Sequence, residues 1–411
     1  MFKIAFIGQK GILVSQGGIE RHVEELSVRL ARDGHQVLVY TRPQFVPKEY
    51  KNYEKVKLIS LPSINTKNLD AISHTFISIF NAIYKQKVDI IHLQGVGPSL
   101  LSWLPKILDS RVKIVATIHS ADWEHQKWSS FAKFMLKAGC KFACKFADES
   151  LAVSRGLQTL CLQKYHSDVT YIPNGVGQPE KTNTAEKEIL KTFDLQKNKY
   201  ILVVSRLIKH KGIHYLIEAF KKMQEKYAHR KDIESTNFKN FKLVIVGSTS
   251  FTEKYQQYLI KLTKNNPDII FTGAQTGQNL DAIFRNAYLY CQPSESEGLS
   301  IAVLEAMSHA KTVLISDIDE NIELISGNAQ TGAVGFDFKN KNIKDLTSKL
   351  EILIKHPEIV YKVGRKAHEY VKLYYNWEEI VSRTQKLYKN IVKVEDKLKK
   401  YISNFKPAII R

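Results

Sequence analysis

Cysteine is scarce in this sequence, and the few cysteines present do not form the pattern of a disulfide framework. The 411 residues include four cysteines, Cys140, Cys144, Cys161 and Cys291. Cys140 and Cys144 are one helical turn apart, but no cysteine or histidine pair follows at the spacing of a zinc finger. We therefore expect reduced thiols in the core of a cytosolic protein, with a zinc site as the alternative.

Long apolar runs are also absent. No stretch reaches the roughly 18 consecutive apolar residues that indicate a membrane-spanning helix. The N-terminal stretch, Met1 to Gly8, has too short an apolar run for a signal peptide and lacks a small-residue cleavage site. We expect a cytoplasmic protein that can still contact the cytoplasmic face of the inner membrane peripherally.

Acidic residues are outnumbered by basic ones. The chain has 61 Lys and Arg against 41 Asp and Glu, which gives a formal net charge of +20. An excess of positive charge attracts nucleotides, nucleic acids or acidic membrane surfaces without choosing among them. Because the lysines are dispersed and no recognition motif occurs, we expect no nucleic-acid partner, and keep nucleic-acid binding as an alternative.

Short apolar runs alternate with helical patterns along both halves of the chain. This alternation indicates an α/β fold with parallel sheets covered by helices on both faces. A segment rich in glycine, proline and polar residues, 173–184, is typical of a linker. We predict two α/β domains, residues 1–174 and 180–375, that face a cleft, and a helical segment 376–411 that packs back toward the first domain.

One turn in the second half stands between a strand pattern and an apolar helix pattern. It reads Ser294-Glu-Ser-Glu297-Gly-Leu-Ser-Ile-Ala-Val-Leu-Glu305. Ligands of parallel sheets bind at the carboxyl ends of strands, and the first backbone N–H groups of a helix favour anions. The turn therefore predicts an anion site, although an ordinary capped helix would give the same pattern.

A basic loop follows another predicted strand of the same half, 200–204. Arg206 and Lys211 lie in it, and two fixed cations there could hold a diphosphate, the arginine through its planar fork and the lysine as a point charge. A solvated surface loop is the alternative. Because both loops follow strands of one predicted sheet, we expect Arg206, Lys211 and the helix start at 299–301 to surround one anion.

Taken in order, the motifs of this chain resemble the signature of the retaining glycosyltransferases of family 4. The resemblance covers essentially the whole sequence and implies the GT-B fold of two Rossmann-like domains. The matching motifs are Gly17-Gly18-Ile-Glu20-Arg-His, Thr117-Ile-His119-Ser-Ala-Asp122-Trp123, Ile172-Pro-Asn-Gly-Val176, Arg206-Leu-x-x-x-Lys211-Gly212 and Glu297-x7-Glu305.

The resemblance also implies an activity. The enzyme would move a sugar from a nucleotide-diphosphate donor, bound by the second domain, to a hydroxyl of a glycan bound by the first. The acceptor would be lipid-linked, as in the assembly of bacterial surface polysaccharides. A GT-B epimerase or phosphorylase would share the fold and remains an alternative.

Individual roles follow from the same resemblance. Glu305 would accept hydrogen bonds from the ribose, Glu297 would contact the donor sugar, and His119 would lie beside the reacting centre. Arg206 and Lys211 would neutralise the leaving diphosphate, which completes a predicted catalytic set with His119 and Glu297. The remaining predicted donor contacts are Gly17 and Gly18 at the phosphates, Gly273 at the base, and Gly298, Leu299, Ser300 and Ile301 at the helix start.

Two further expectations concern the acceptor and metals. The resemblance places Asp122, Trp123 and Glu124 on the acceptor side. Asp317-Ile-Asp319 has the form of a D-x-D metal motif, but its position after a predicted strand favours a helix-capping role. We therefore expect transfer without a metal, and no cofactor apart from the nucleotide-sugar co-substrate.

The stretch Trp128–Phe146 combines basic and aromatic residues at helical spacing. Lysines recur every fourth residue, and aromatic residues run beside them. Such helices can lie in an anionic membrane interface, and the family resemblance adds weight to this interpretation. The alternative is a surface helix with solvated lysines and its aromatic rings in the core. The residues concerned are Lys133, Lys137, Lys141, Lys145, Trp128, Phe131, Phe134, Phe142 and Phe146.

Overall fold

The computed structural model describes residues 1–12, 17–66, 69–124, 129–179, 185–228, 238, 240–249 and 253–404, with side chains up to residue 393. The chain divides into two compact units. Unit 1 comprises Met1–Pro173 and Trp377–Arg411, and unit 2 comprises Asn174–Asn376. The final helix of the chain therefore belongs to the same unit as the N-terminus.

Unit 1 is built on an eight-stranded sheet with the order β3-β4-β2-β1-β5-β6-β7-β8, parallel except for the β3–β4 pair. The central strand β1 has the continuous apolar sequence that a strand covered on both faces requires. The strands are β1 (Lys3–Ile7), β2 (Gln36–Thr41), β3 (Asn52–Tyr53), β4 (Val56–Ser60), β5 (Ile90–Gln94), β6 (Lys113–Ile118), β7 (Glu149–Ala152) and β8 (Thr170–Tyr171).

Helices connect these strands and cover the sheet. The α-helices of unit 1 are α1 (Gly18–Arg32), α2 (Asp70–Phe80), α3 (Leu104–Leu108), α4 (Ser130–Phe146) and α5 (Arg155–Tyr165). A π-helical turn, Asn81–Gln86, extends α2, and short 3₁₀ turns lie at Pro98–Leu101 and Asp122–Glu124.

Unit 2 contains a six-stranded, all-parallel sheet with the order β11-β10-β9-β12-β13-β14. Its strands are β9 (Tyr200–Val204), β10 (Lys242–Val246), β11 (Ile269–Gly273), β12 (Leu289–Gln292), β13 (Thr312–Ser316) and β14 (Phe336–Phe338). The chain runs outward from β9 to β11 and returns to β12 on the other side of β9. The point between β9 and β12 is therefore the topological switch point, where open α/β sheets bind ligands.

The helices of unit 2 pack on both faces of this sheet around a core that includes Ile213, Phe220 and Leu346. They are α6 (Glu186–Thr192), α7 (Ile213–Tyr227), α8 (Glu253–Thr263), α9 (Gly277–Asn286), α10 (Ile301–Ser308), α11 (Asp319–Ile325), α12 (Ile343–Lys355) and α13 (Pro357–Tyr374). The predicted α/β class is confirmed.

The last helix, α14 (Trp377–Asn404), is fixed to unit 1 by a buried polar chain. The Tyr388 hydroxyl lies 2.7 Å from His92 Nδ1, and His92 Nε2 lies 2.7 Å from the Thr117 hydroxyl. Burial, and then the neighbouring His22, hold the pKa of His92 well below its usual value. His92 is therefore neutral and joins β5 and β6 to the C-terminal helix through both ring nitrogens.

Replacing Tyr388 with Phe should destabilise unit 1. The substitution leaves a buried imidazole nitrogen without its partner, which costs about 1–3 kcal/mol. Calorimetric unfolding should show a lower midpoint for Tyr388→Phe. The matched control is Tyr361→Phe, which removes a hydroxyl from a ring that is 46% exposed and should leave the midpoint unchanged. Equal midpoints for both variants would contradict the bridging role of the Tyr388–His92 hydrogen bond.

Candidate functional site

Two loops of unit 2 meet at the switch point between β9 and β12. The first, residues 205–212, follows β9, and the second, residues 293–300, follows β12. A Cβ added to Gly212 would lie 1.8 Å from the Pro293 carbonyl oxygen, so only glycine permits this approach. The Glu295 N–H also donates to the His210 carbonyl at 2.7 Å. The structure thus brings together the two loops that the sequence predicts to form one anion site.

An ion pair joins these loops. The Lys211 ammonium lies 2.5 Å from Glu297 Oε1, and the two side chains are only 16% and 8% exposed. Gln292 Nε2 donates to the same carboxylate oxygen at 3.2 Å. Lys211 therefore neutralises Glu297 and holds it in one position, so that the predicted phosphate-binding lysine has a carboxylate partner within the protein.

Further hydrogen bonds hold the Gln292 side chain that donates to Glu297. Gln292 Oε1 accepts from the Tyr290 hydroxyl at 3.0 Å and from the Ser300 hydroxyl at 2.8 Å. Burial, and then the negative charges of Glu297 and Glu305, raise the pKa of Tyr290 well above its usual value. Both predicted carboxylates thus act electrostatically on one buried phenol.

Sequence reasoning did not single out Tyr290 or Gln292. The sequence pattern that could have pointed to them is the presence of polar groups near the end of an otherwise apolar strand. An ordinary strand end shows the same pattern. Asn174 was missed as a contact of this region as well. Its buried amide donates to the Leu299 carbonyl at 3.1 Å, which ties the linker to the loop before α10.

Arg206 differs from Lys211 in its surroundings. It is half-buried in the loop directly after β9. Among the described residues, no carboxylate, carbonyl or hydroxyl oxygen takes a hydrogen bond from its guanidinium. The five N–H donors of the side chain are therefore available to a ligand, in the fork geometry that suits phosphate.

The start of α10 lies at the same edge of the sheet. Ser300 caps the helix, because its hydroxyl accepts the Val303 N–H at 3.4 Å. The first backbone N–H groups of the helix, at Ile301 and Ala302, point toward the end where an anion is favoured. Glu305 follows one turn later and is partly exposed. Gly298 and Leu299 form the approach to this helix start and are buried.

Gly273 lies at the same edge but farther along the sheet. It ends β11 with a φ of +71°, is exposed, and its carbonyl accepts the Gly247 N–H at 2.9 Å. Gln275 folds back onto the Thr272 carbonyl at 2.9 Å. The structure thus places the predicted base-binding loop two strands away from β9, and its contact with a base stays a prediction.

His119 follows β6 in unit 1 and is 8% exposed. Its Nε2 lies 2.8 Å from Gln94 Oε1, and its ring packs edge-on against His22 at 4.9 Å. Burial, and then the positive forms of His22 and His92, hold the pKa of His119 well below its usual value. The ring is therefore neutral at pH 7, and because its Nε2–H donates to the Gln94 oxygen, its Nδ1 can accept a hydrogen bond.

The glycines at the start of α1 have a carboxylate beside them. Gly17 has a φ of +139°, and a Cβ added there would lie 1.8 Å from Glu20 Oε2. Glu20 Oε1 accepts the Lys10 N–H at 3.2 Å. Glycine is favoured at position 17 because of this positive φ, whereas the Glu20 carboxylate could move aside for a side chain. A phosphate arriving at this helix end would meet that negative charge, and the phosphate role of Gly17 and Gly18 stays a prediction.

The predicted acceptor trio does not share one environment. The Trp123 side chain is only 5% exposed and has the Lys164 ammonium 5.7 Å from its ring centroid. Asp122 accepts the Ser120 hydroxyl at 2.7 Å and is partly exposed, while Glu124 is exposed. The Trp123 ring packs inside unit 1, and its two acidic neighbours are the more exposed members of the trio, whose acceptor-side role stays a prediction.

Neither aspartate of the D-x-D sequence is the N-cap of the helix that follows, so the expected helix-capping role is wrong. Asp317 accepts the Asn340 N–H at 2.7 Å, and Asp319 is the first residue of α11, whose N-cap is Ile318. Within the described parts of the chain, the one group of His, Cys, Asp or Glu side chains close enough to share a metal ion consists of three cysteines in unit 1.

Helix α4 contains most of the predicted basic and aromatic stretch, while Trp128 lies outside the described residues. Lys137, Lys141 and Lys145 are exposed, and Lys133 is half-exposed. Phe131 is 73% exposed and Phe134 is 65% exposed. The alternative that puts all the aromatic rings in the core is therefore wrong for these two residues.

An apolar groove of about 600 Å³ lies beside this region, between α2 and the turn Pro98–Leu101, which packs against α4. No helix within the described residues is both long and apolar enough to cross a bilayer. The groove is lined by Pro62, Ser63, Ile64, Ile72, Ser73, Phe76, Ile77 and Leu101.

Comparison with known proteins identifies the family. The family model described as group 1 glycosyl transferases matches residues 185–370, and the model described as glycosyltransferase family 4 matches residues 16–177. The two matches together span both units. The chain belongs to glycosyltransferase family 4.

Relatives and solved structures agree with this assignment. The enzyme is 24% identical over 378 residues to an uncharacterised glycosyltransferase of Methanocaldococcus jannaschii, covering 91% of this chain and 95% of the relative. It is 25% identical over 279 residues to the UDP-Gal:alpha-D-GlcNAc-diphosphoundecaprenol alpha-1,3-galactosyltransferase of Escherichia coli, covering 65% and 68%. A crystal structure of Anabaena HepE in complex with UDP-glucose superimposes with a TM-score of 0.74 at 16% identity, covering 95% and 100%.

The structural likeness confirms the predicted GT-B fold of the glycosyltransferase, and the family models confirm its enzyme class. The assignment favours sugar transfer over the epimerase, phosphorylase and nucleic-acid-binding alternatives. The roles of individual site residues stay predictions.

Proposed function

We propose that this glycosyltransferase is a retaining enzyme that transfers a sugar from a nucleotide diphosphate to a hydroxyl of a lipid-linked glycan, during the assembly of a cell-surface polysaccharide. The observation that carries the proposal is the switch point of unit 2, where the Arg206 loop meets the Glu297 turn and the start of α10. The names of two similar proteins support it. One names a UDP-sugar and a diphosphoundecaprenol-linked acceptor, and the other describes a complex with UDP-glucose.

The chemistry of the leaving group explains the choice of residues. When the bond between the anomeric carbon and the diphosphate breaks, negative charge develops on the phosphate and positive character on the sugar. Arg206, the remaining N–H donors of Lys211 and the first N–H groups of α10 would stabilise the departing diphosphate without reorganising. Removing one such preorganised donor typically lowers kcat by about 10²–10³-fold.

Glu297 fits a sugar-binding role better than that of a nucleophile. Its charge is balanced by Lys211 at 2.5 Å, and one oxygen also accepts from Gln292. Such a carboxylate is held in one position with its charge already paired, but its other oxygen can accept hydrogen bonds from sugar hydroxyls. We therefore propose retention by attack on the face from which the diphosphate leaves. In unit 1 the neutral His119 would contribute a hydrogen bond.

Arg206→Gln should weaken donor binding and lower kcat/KM by about two orders of magnitude, since the guanidinium, which has no hydrogen-bond partner among the described residues, would bind the diphosphate. The matched control is Lys209→Gln, which removes an exposed cation from the same loop and should change neither. The measurement is a thermal-shift panel of UDP-, GDP-, dTDP- and ADP-sugars, followed by kinetics with the best ligand.

The two carboxylates should separate in the same assays. Glu305→Ala should mainly reduce donor affinity, whereas Glu297→Ala should mainly lower turnover. Intact activity in both carboxylate variants would contradict the donor site as a whole. Equal losses in the Arg206 and Lys209 variants would show that the loop acts through its overall positive charge, and would contradict a specific contact of Arg206 with the diphosphate.

We further propose that transfer needs no metal ion, because the cationic groups described above perform the charge stabilisation that a metal would supply. Activity should persist when EDTA is added in excess. Loss of activity in EDTA, restored by Mg²⁺ or Mn²⁺, would overturn this part of the proposal.

We also propose that unit 1 binds the lipid-linked acceptor at the cytoplasmic face of the inner membrane, in peripheral contact with anionic lipid. Three exposed lysines and the exposed rings of Phe131 and Phe134 share one helix, the combination that favours an anionic interface. The nearby apolar groove of about 600 Å³ would accept the first part of a lipid chain.

Replacing the four lysines of α4 with Glu should abolish binding to vesicles containing anionic lipid, because each lysine near the surface contributes about 1 kcal/mol. The control has the same change in net charge, with Glu replacing the exposed Lys254, Lys261, Lys264 and Lys344 of unit 2. Co-sedimentation is the measurement. Unchanged binding of the α4 variant, or equal losses in both variants, would contradict a membrane-binding α4.

A further inference from the structure

Three of the four cysteines meet in unit 1, far apart in sequence from the residues of the donor site. Cys140 and Cys144 are four residues apart and so share one face of α4, and Cys161 faces them from α5. All are free thiols, and their sulfur atoms lie within 4.8 Å of one another. Cys291 lies on β12 in unit 2 and takes no part.

The cluster has a buried base and an open side. Cys140 and Cys161 are fully buried, whereas Cys144 is partly exposed. Two hydrogen bonds fix the helices around it: the Tyr165 hydroxyl donates to the Lys137 carbonyl at 3.3 Å, and the Ser167 hydroxyl to the Cys144 carbonyl at 3.5 Å. A small ion could therefore reach the sulfur atoms past Cys144 without unfolding either helix.

The spacing of the sulfur atoms suits a shared metal ion. Metal–sulfur bonds of about 2.3 Å place three sulfur atoms roughly 4 Å apart around a common ion. Closing the cluster from its present separations thus requires shifts of less than about 1 Å.

The ligand set selects the kind of ion. Within the described residues no imidazole or carboxylate joins the three sulfur atoms. An all-sulfur set favours soft ions such as monovalent copper or zinc over magnesium or calcium. Structural zinc sites take four protein ligands, and soft thiolate ligands also select monovalent copper. The set is therefore better matched to copper.

We propose that Cys140, Cys144 and Cys161 form a three-thiolate site for a soft metal ion, monovalent copper, that ties α4 to α5. Binding replaces sulfur–hydrogen bonds with copper–sulfur bonds and releases the thiol protons to solvent, and copper stays monovalent. The site would fix the position of the helix that carries Phe131 and Phe134, and it does not depend on the proposed transfer reaction.

The test is a titration of the reduced, metal-free full chain with Cu(I) in the presence of a chromogenic Cu(I) chelator. We expect the parent to withdraw one ion per chain from the chelator and to unfold at a higher temperature when loaded. Cys144→Ser should lose both effects, because it removes one of the three sulfur ligands. The variant should still fold, since the Cys144 side chain is partly exposed and tolerates the change. Cys291→Ser is the matched control and should retain both.

A second measurement needs no variant. Copper should protect Cys140, Cys144 and Cys161 of the parent from alkylation, as located by mass spectrometry, while the reactivity of Cys291 stays unchanged. Failure of the parent to compete with the chelator would overturn the proposal, as would equal copper binding by Cys144→Ser. Tighter binding of Zn(II) than of Cu(I) would overturn the copper assignment. Formation of a disulfide among the three cysteines in place of metal binding would also overturn it.

Discussion

Gly212 leaves room for the Pro293 carbonyl oxygen, and this close approach holds the two loops of unit 2 against each other. Any side chain at position 212 would push the loop after β9 away from the turn after β12. The contact lets Lys211 reach Glu297, and Glu297 in turn aligns Gln292, Tyr290 and Ser300. A steric constraint at one glycine thus sets the geometry of a polar network that reaches from the sheet to the cap of α10.

The basic side chains of this protein lie in different electrostatic environments. The chain is strongly basic, yet Lys211 is neutralised within the protein, and the buried histidines His92 and His119 are held neutral by desolvation. Arg206 is left with its donors free of partners among the described residues. The exposed lysines of α4 stand in unit 1, where the Lys145 ammonium lies 5.4 Å from the centroid of the Phe146 ring. Net charge alone therefore says little about where an anion would bind.

Unit 1 is held together by contacts between distant parts of the sequence. The Tyr388–His92–Thr117 chain joins the final helix to two central strands, and the three cysteines join α4 to α5. Both features place polar or soft groups inside an apolar core, where an unpartnered group is costly and a partnered one defines a single arrangement. The Tyr388–His92 hydrogen bond explains how a C-terminal helix remote in sequence completes the N-terminal unit.

The sequence by itself determined the elements and the order of the motifs. The strand β9 was predicted with its observed bounds, because a strand buried on both faces is a continuous apolar run. The start of α10 was predicted to within a residue because Ser300 is a strong N-cap. The resemblance of its motifs identified the family.

Only the tertiary structure decided which side chains meet. Lys211 and Glu297 are 86 residues apart, so no local spacing indicates their ion pair. The burial of Trp123, the exposure of Phe131 and the approach of Cys161 to Cys140 and Cys144 depend on how neighbouring helices pack. Sequence periodicity indicates which face of each helix or strand is apolar. Which element packs on that face is decided by contacts between parts of the chain that are far apart in sequence.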